Sequence, residues 1–100
     1  MFLVLLTYTV PESEIVHLRD AHYAFVDEHF KSGVFQLGGR RVPATGGFIL
    51  AQGVGRHELA EIMSNDPYLV AGLVKHELIE LTPTRCRPAL ADALGLELGG

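Results

Sequence analysis

The chain has no tryptophan, one cysteine, and eight lysines and arginines against twelve aspartates and glutamates in 100 residues. Each shortage closes a class of function. Cys86 has no partner for an intrachain disulfide, and a reducing, cytoplasmic setting is expected. The basic residues are scattered and the net charge is −4, so the clustered positive charge that neutralises phosphates is missing; nucleic acid is not an expected partner. No apolar run approaches the length of a membrane span. The apolar start, residues 1–10, has neither a basic leader nor a small-residue cleavage site and reads as a strand, not a signal peptide. What is abundant is apolar side chain, 48% of the sequence. That is slightly more than a single solvated domain of this size uses, and a subunit interface is a natural place for the excess.

The order of elements follows from periodicity. Residues 2–8 read as a first strand. Thr9 and Glu12 have capping-box spacing, with Pro11 in the first turn, ahead of a helix over residues 14–32 that ends at Gly33. Residues 34–37 read as a second strand, 38–47 as a loop with four glycines, and 48–54 as a third strand. Residues 56–64 form a short amphipathic helix with Leu59, Ile62 and Met63 inward, ended by Asn65-Asp66-Pro67. Residues 74–81 read as a fourth strand. A tail, residues 86–100, carries one or two helical turns over 88–94. It is expected to pack on a dimer of the main domain, residues 1–85.

This βαββαβ order is the ferredoxin-like α+β motif: a four-stranded antiparallel sheet with two helices on one face. The other face is not polar. Phe2, Val4, Leu6 and Tyr8 alternate with Leu3 and Leu5, and Phe48 and Leu50 alternate with Ile49 and Ala51, so both sides of the sheet are apolar. A homodimer joined through the open face, with higher assembly left open, is the expected cover; the alternative is the tail folding back.

One residue breaks the apolar stripe of the first helix. Ile15, Leu18, His22, Phe25 and His29 share a side, and an imidazole facing the core needs a polar partner. Asp66 is the leading candidate. An Asp before Pro ordinarily bonds local backbone, and a lone helix histidine is ordinarily structural. Together they form the pair general acid–base chemistry uses: the carboxylate fixes the tautomer and the free ring nitrogen moves the proton. Tyr8 and Tyr68 are candidates to donate to a substrate oxygen, and Arg40 to attract an anion. His76, on the same side of its strand as Val74 and Leu78, is a candidate for the site or the interface. No metal site is expected, since Val26 occupies the ligand position four residues after His22, and His29 lies two turns away. The glycine pairs lack phosphate-loop spacing, and Cys86 has no evident base.

The chain resembles the YCII-related (YciI-like) family of the dimeric α+β-barrel group. The resemblance covers about residues 1–85. It rests on Leu18-Arg19-Asp20-Ala21-His22 with Phe25, on Asp66-Pro67-Tyr68-Leu69-Val70-Ala71-Gly72, and on the Gly38-Gly39 and Gly46-Gly47 turns. It implies a ferredoxin-like fold, a dimer, and a site around the histidine and the aspartate. A related protein is a dehydrochlorinase acting on a chlorinated hydroxyhydroquinone. Several relatives carry serine where this chain has Gly47, the remaining candidate at the substrate. The combined expectation is a small cofactor-free enzyme in which His22 and Asp66 transfer a proton on a cyclic or aromatic polar molecule, by elimination or isomerisation. The alternative is a non-catalytic ligand-binding or accessory module.

Overall fold

A computed structural model describes residues 1–98. Four strands, β1 (Phe2–Tyr8), β2 (Phe35–Arg40), β3 (Gly46–Ala51) and β4 (Val74–Glu80), form one sheet in the order β2-β3-β1-β4. All neighbours are antiparallel. Helices α1 (Arg19–Lys31) and α2 (Arg56–Met63) pack on one face; α3 (Pro67–Val70) is a single turn, and α4 (Pro88–Leu94) lies in the tail. This is the expected ferredoxin-like α+β architecture.

Strand alternation sets the core. Phe2, Val4, Leu6, Phe35, Ile49 and Ala51 face inward, and Phe25 of α1 with Leu59 and Met63 of α2 close over them. A second cluster, Ile15, Tyr68 and Val74, sits toward the other end of the sheet. The two clusters flank the ground in which the candidate site lies.

Three local expectations are corrected. The helix expected from residue 14 begins as an α-helix only at Arg19, after two 3-10 turns, Glu12–Glu14 and Val16–Leu18. Their tighter bonds, Ile15 N–H to the Glu12 carbonyl at 2.9 Å and Leu18 N–H to the Ile15 carbonyl at 3.0 Å, seat Ile15 fully buried against Tyr68 and Val74. The capping box does not form: the Thr9 hydroxyl donates to the Gly72 carbonyl at 3.1 Å, tying the end of β1 to the approach to β4. Finally, Gly38, Gly39 and Arg40, expected in a loop, belong to β2 and pair with Ile49, Phe48 and Gly47. Pairing with β3 holds them extended where glycine's weak strand preference predicts none. The connecting loop shrinks to residues 41–45. Gly46 then passes so near the Leu6 carbonyl that a β-carbon would overlap it.

The outer face carries apolar residues from all four strands. Leu3 sits opposite Leu50 and Ile79, Leu5 opposite Phe48, and Leu37 opposite Leu50. Leu37 is 57% exposed. Helix α4 buries none of its residues; Gln52 Nε2 donates to the Leu94 carbonyl at 3.0 Å. No helix among the described residues is long and apolar enough to cross a membrane.

Candidate functional site

The site begins with a proline. Pro67 forbids the helical conformation to Asp66, which takes φ −60° and ψ 121° and caps α3. Its Oδ1 accepts the Tyr68 backbone N–H at 3.0 Å. The carboxylate is therefore oriented locally before any distant partner arrives. Two histidines then reach it from different elements. His22 of α1 donates from Nδ1 to Oδ1 at 2.8 Å, and His76 of β4 donates from Nε2 to Oδ2 at 3.3 Å. The Asp66 side chain is fully buried, while those of His76 and His22 are 7% and 13% exposed.

Burial alone would push the Asp66 carboxyl upward. Hydrogen bonds from His22 and His76, the charge of His22 and the Tyr68 N–H outweigh it and hold the group down at about 2. Asp66 is thus a fixed anion. Whenever the His22 imidazole is in its neutral form, an acceptor-only carboxylate makes Nδ1 the protonated nitrogen and leaves Nε2 with its lone pair. The His22 ring lies flat on Tyr68, centroids 4.0 Å apart and planes 10° from parallel. Ring plane and tautomer are both set.

His22 lines a cleft of about 270 Å³ between α1 and the inner face of the sheet. Arg19, Tyr23, Val26 and Phe30 continue the helical wall; Leu6, Tyr8, Arg40 and Ile49 stand on the sheet side, and Tyr68 adjoins His22. The space exists because Gly38 and Gly47, in register with Ile49 and Leu6, bring no side chain to the floor. Burial raises the Tyr68 phenol above its ordinary value against the opposing pull of the Arg19 guanidinium, and Tyr23 raises Arg40.

Five of the seven candidates from the sequence, His22, Tyr8, Tyr68, Arg40 and Gly47, line this cleft. Asp66 stands behind His22. His76 is not part of the wall; its strand parity carries it to the buried side of Asp66, where it holds the second carboxylate oxygen. Sequence reasoning overlooked Arg19, Tyr23, Val26 and Phe30. Their signal was a second stripe at steps of three and four residues, immediately beside the core stripe of the same helix. Among the described residues, no group of three or more histidine, cysteine, aspartate or glutamate side chains is placed to hold a metal ion.

The sequence matches the YCII-related domain over residues 1–82. The chain belongs to the YCII-related family. A search among curated proteins finds no significant match. Among solved structures, it is similar to the 5-chloro-2-hydroxyhydroquinone dehydrochlorinase of Burkholderia phenoliruptrix AC1100, determined as a complex with 2,5-dihydroxybenzoquinone. The TM-score is 0.66 at 20% identity, covering 82% of this chain and 94% of that one. Within this YCII-related chain Gly47 has a local cause: a β-carbon there would stand 2.8 Å from the Gly39 carbonyl oxygen, so a serine requires β2 and β3 to move apart.

Proposed function

We propose that the protein is a cofactor-free enzyme that transfers a proton on a small cyclic or aromatic polar molecule held in the α1–sheet cleft. One arrangement carries this reading: an imidazole whose Nδ1 is bound by a buried carboxylate at 2.8 Å, on a residue that lines the cleft. His22 Nε2 is the base and Asp66 the group that orients the ring and stabilises its charged form. In an elimination, Nε2 takes a proton from carbon, the electron pair left behind forms the new π bond, and chloride departs with its bonding pair. In an isomerisation the same proton returns at another carbon. The dehydrochlorinase likeness favours elimination, and the cleft is smaller than the usual range for drug-sized ligands, which suits a single ring.

The test is incubation in deuterated water with hydroxylated aromatics, lactones and chlorinated hydroxyhydroquinones. Deuterium incorporation or chloride release, lost in His22→Ala, is the expected result. Ligand binding without either, across pH, favours the alternative of a non-catalytic binding or accessory module. Gly47 speaks for that alternative, since its close contact leaves no room for the hydroxyl of several relatives.

The protein further acts as a homodimer in this reading, joined through Leu3, Leu5, Leu37, Phe48 and Leu50, with its lone cysteine suited to the cytoplasm. Sedimentation is expected to give a dimer for the native chain and a monomer for the Leu3→Lys, Leu50→Lys double variant. A native chain that sediments as a monomer at high concentration overturns this.

A further inference from the structure

The cleft wall carries two guanidinium groups and no carboxylate, in a chain whose net charge is −4. Arg19 comes from the first turn of α1 and Arg40 from the end of β2, so two independent elements bring positive charge to one small space. Around them stand three phenols, Tyr8, Tyr23 and Tyr68, whose hydroxyls can donate hydrogen bonds to a ligand. Two negative charges lie near: the buried Asp66, behind His22, and Glu12, on the first 3-10 turn, which is the one beside Arg19. Glu12 Oε1 lies 3.5 Å from Arg19 Nη2, its charge also acts on Arg40, and it is not among the residues that line the cleft. At that distance, and with both side chains partly in water, the ion pair is weak. An exposed carboxylate thus rests beside Arg19, its charge reaching Arg40, without filling the space between the helix and the sheet.

We propose that the cleft selects a single-ring organic anion, its acidic group held by Arg19 and Arg40 at the rim in competition with Glu12, and its ring lying over the glycine floor. The inference deepens the proton-transfer reading by naming the ligand class at the same site. Its physical sense is twofold. Guanidinium groups take a carboxylate or enolate by paired hydrogen bonds. The same positive charges stabilise the electron pair that a ring carbon keeps when a base removes its proton.

Matched probes separate charge from shape: para-hydroxybenzoate and its neutral carboxamide, titrated against the full chain by NMR. The carboxylate is expected to shift the backbone amides of Gly38, Gly47 and Tyr68, and the carboxamide to bind about tenfold more weakly or not at all. Arg19→Gln and Arg40→Gln are each expected to weaken the carboxylate by about tenfold, and added salt to weaken it progressively. Glu12→Gln is expected to tighten it, since the competing anion is gone. That gain is a readout that general damage to the fold would not produce. Equal binding of the two probes, shifts confined to residues outside the cleft, indifference to both arginine substitutions, or no binding of the carboxylate at millimolar concentration each overturns the proposal. None of these readouts involves turnover. Selective anion binding without proton exchange sinks the enzymatic reading and leaves the ligand class standing, while exchange on neutral rings alone does the reverse.

Discussion

Asp66→Ala is expected to lower the unfolding free energy by about 3 kcal/mol, more than any other single substitution at the site. Three donors from three elements converge on this carboxylate: His22 of α1, His76 of β4 and the Tyr68 N–H at the start of α3. Its removal leaves all three without a partner in a region closed to water, and adds the loss of the α3 cap. Asp66→Asn separates shape from charge. The folded carboxyl sits at about 2, below its ordinary 3.8, so its stabilising effect is complete above the ordinary value and is lost as pH falls toward the folded one. Denaturant titrations should therefore show a gap between native chain and Asn variant of about 2 kcal/mol near neutrality, closing between pH 4 and pH 2. A gap that stays constant through that window contradicts a buried, anion-stabilised Asp66.

The second large effect concerns chemistry, not folding. His22→Gln is expected to reduce proton-transfer turnover by about a hundredfold to ten-thousandfold, the range for loss of a positioned base. Its stability cost should be smaller than that of Asp66→Ala, because the truncation occurs at the cleft wall and Asp66 keeps His76 and the Tyr68 amide. Measured together, the two variants distinguish a base from a structural strut. If His22→Gln unfolds as readily as Asp66→Ala while turnover per folded molecule is unchanged, the imidazole is structural and the catalytic assignment fails.

How far the sequence announces this molecule depends on which physical signal each part uses. The sheet was legible because β1 and β3 are long enough to alternate, and Phe2, Val4 and Leu6 went inward as the pattern required. The meeting of His22 with Asp66 was legible because an imidazole in an apolar stripe demands a partner. What failed was whatever depends on pairing alone. Gly38 and Gly39 carry no side-chain signal, and only β3 makes them strand. Thr9 and Glu12 matched a capping motif, but the Thr9 hydroxyl had a stronger claim on the Gly72 carbonyl, a contact set by how β1 lies beside β4. Arg19, Tyr23, Val26 and Phe30 went unnoticed because a mixed polar and apolar stripe looks like the edge of a core, and becomes a binding wall only when glycines opposite it leave space.

That bare floor has an evolutionary corollary. At Gly38 an added methyl would stand 3.3 Å from the Phe48 carbonyl oxygen, with Phe30 and Ile49 at 3.5 and 3.7 Å, so the strand beside it must give slightly, whereas at Gly47 it would press on the Gly39 carbonyl oxygen at 2.8 Å. Descendants of this chain can therefore reduce the chamber's depth through the first position at the cost of only a slight shift between β2 and β3. The second is open only to lineages that have already respaced their strands, so diversification of ligand size should follow an order written into the backbone.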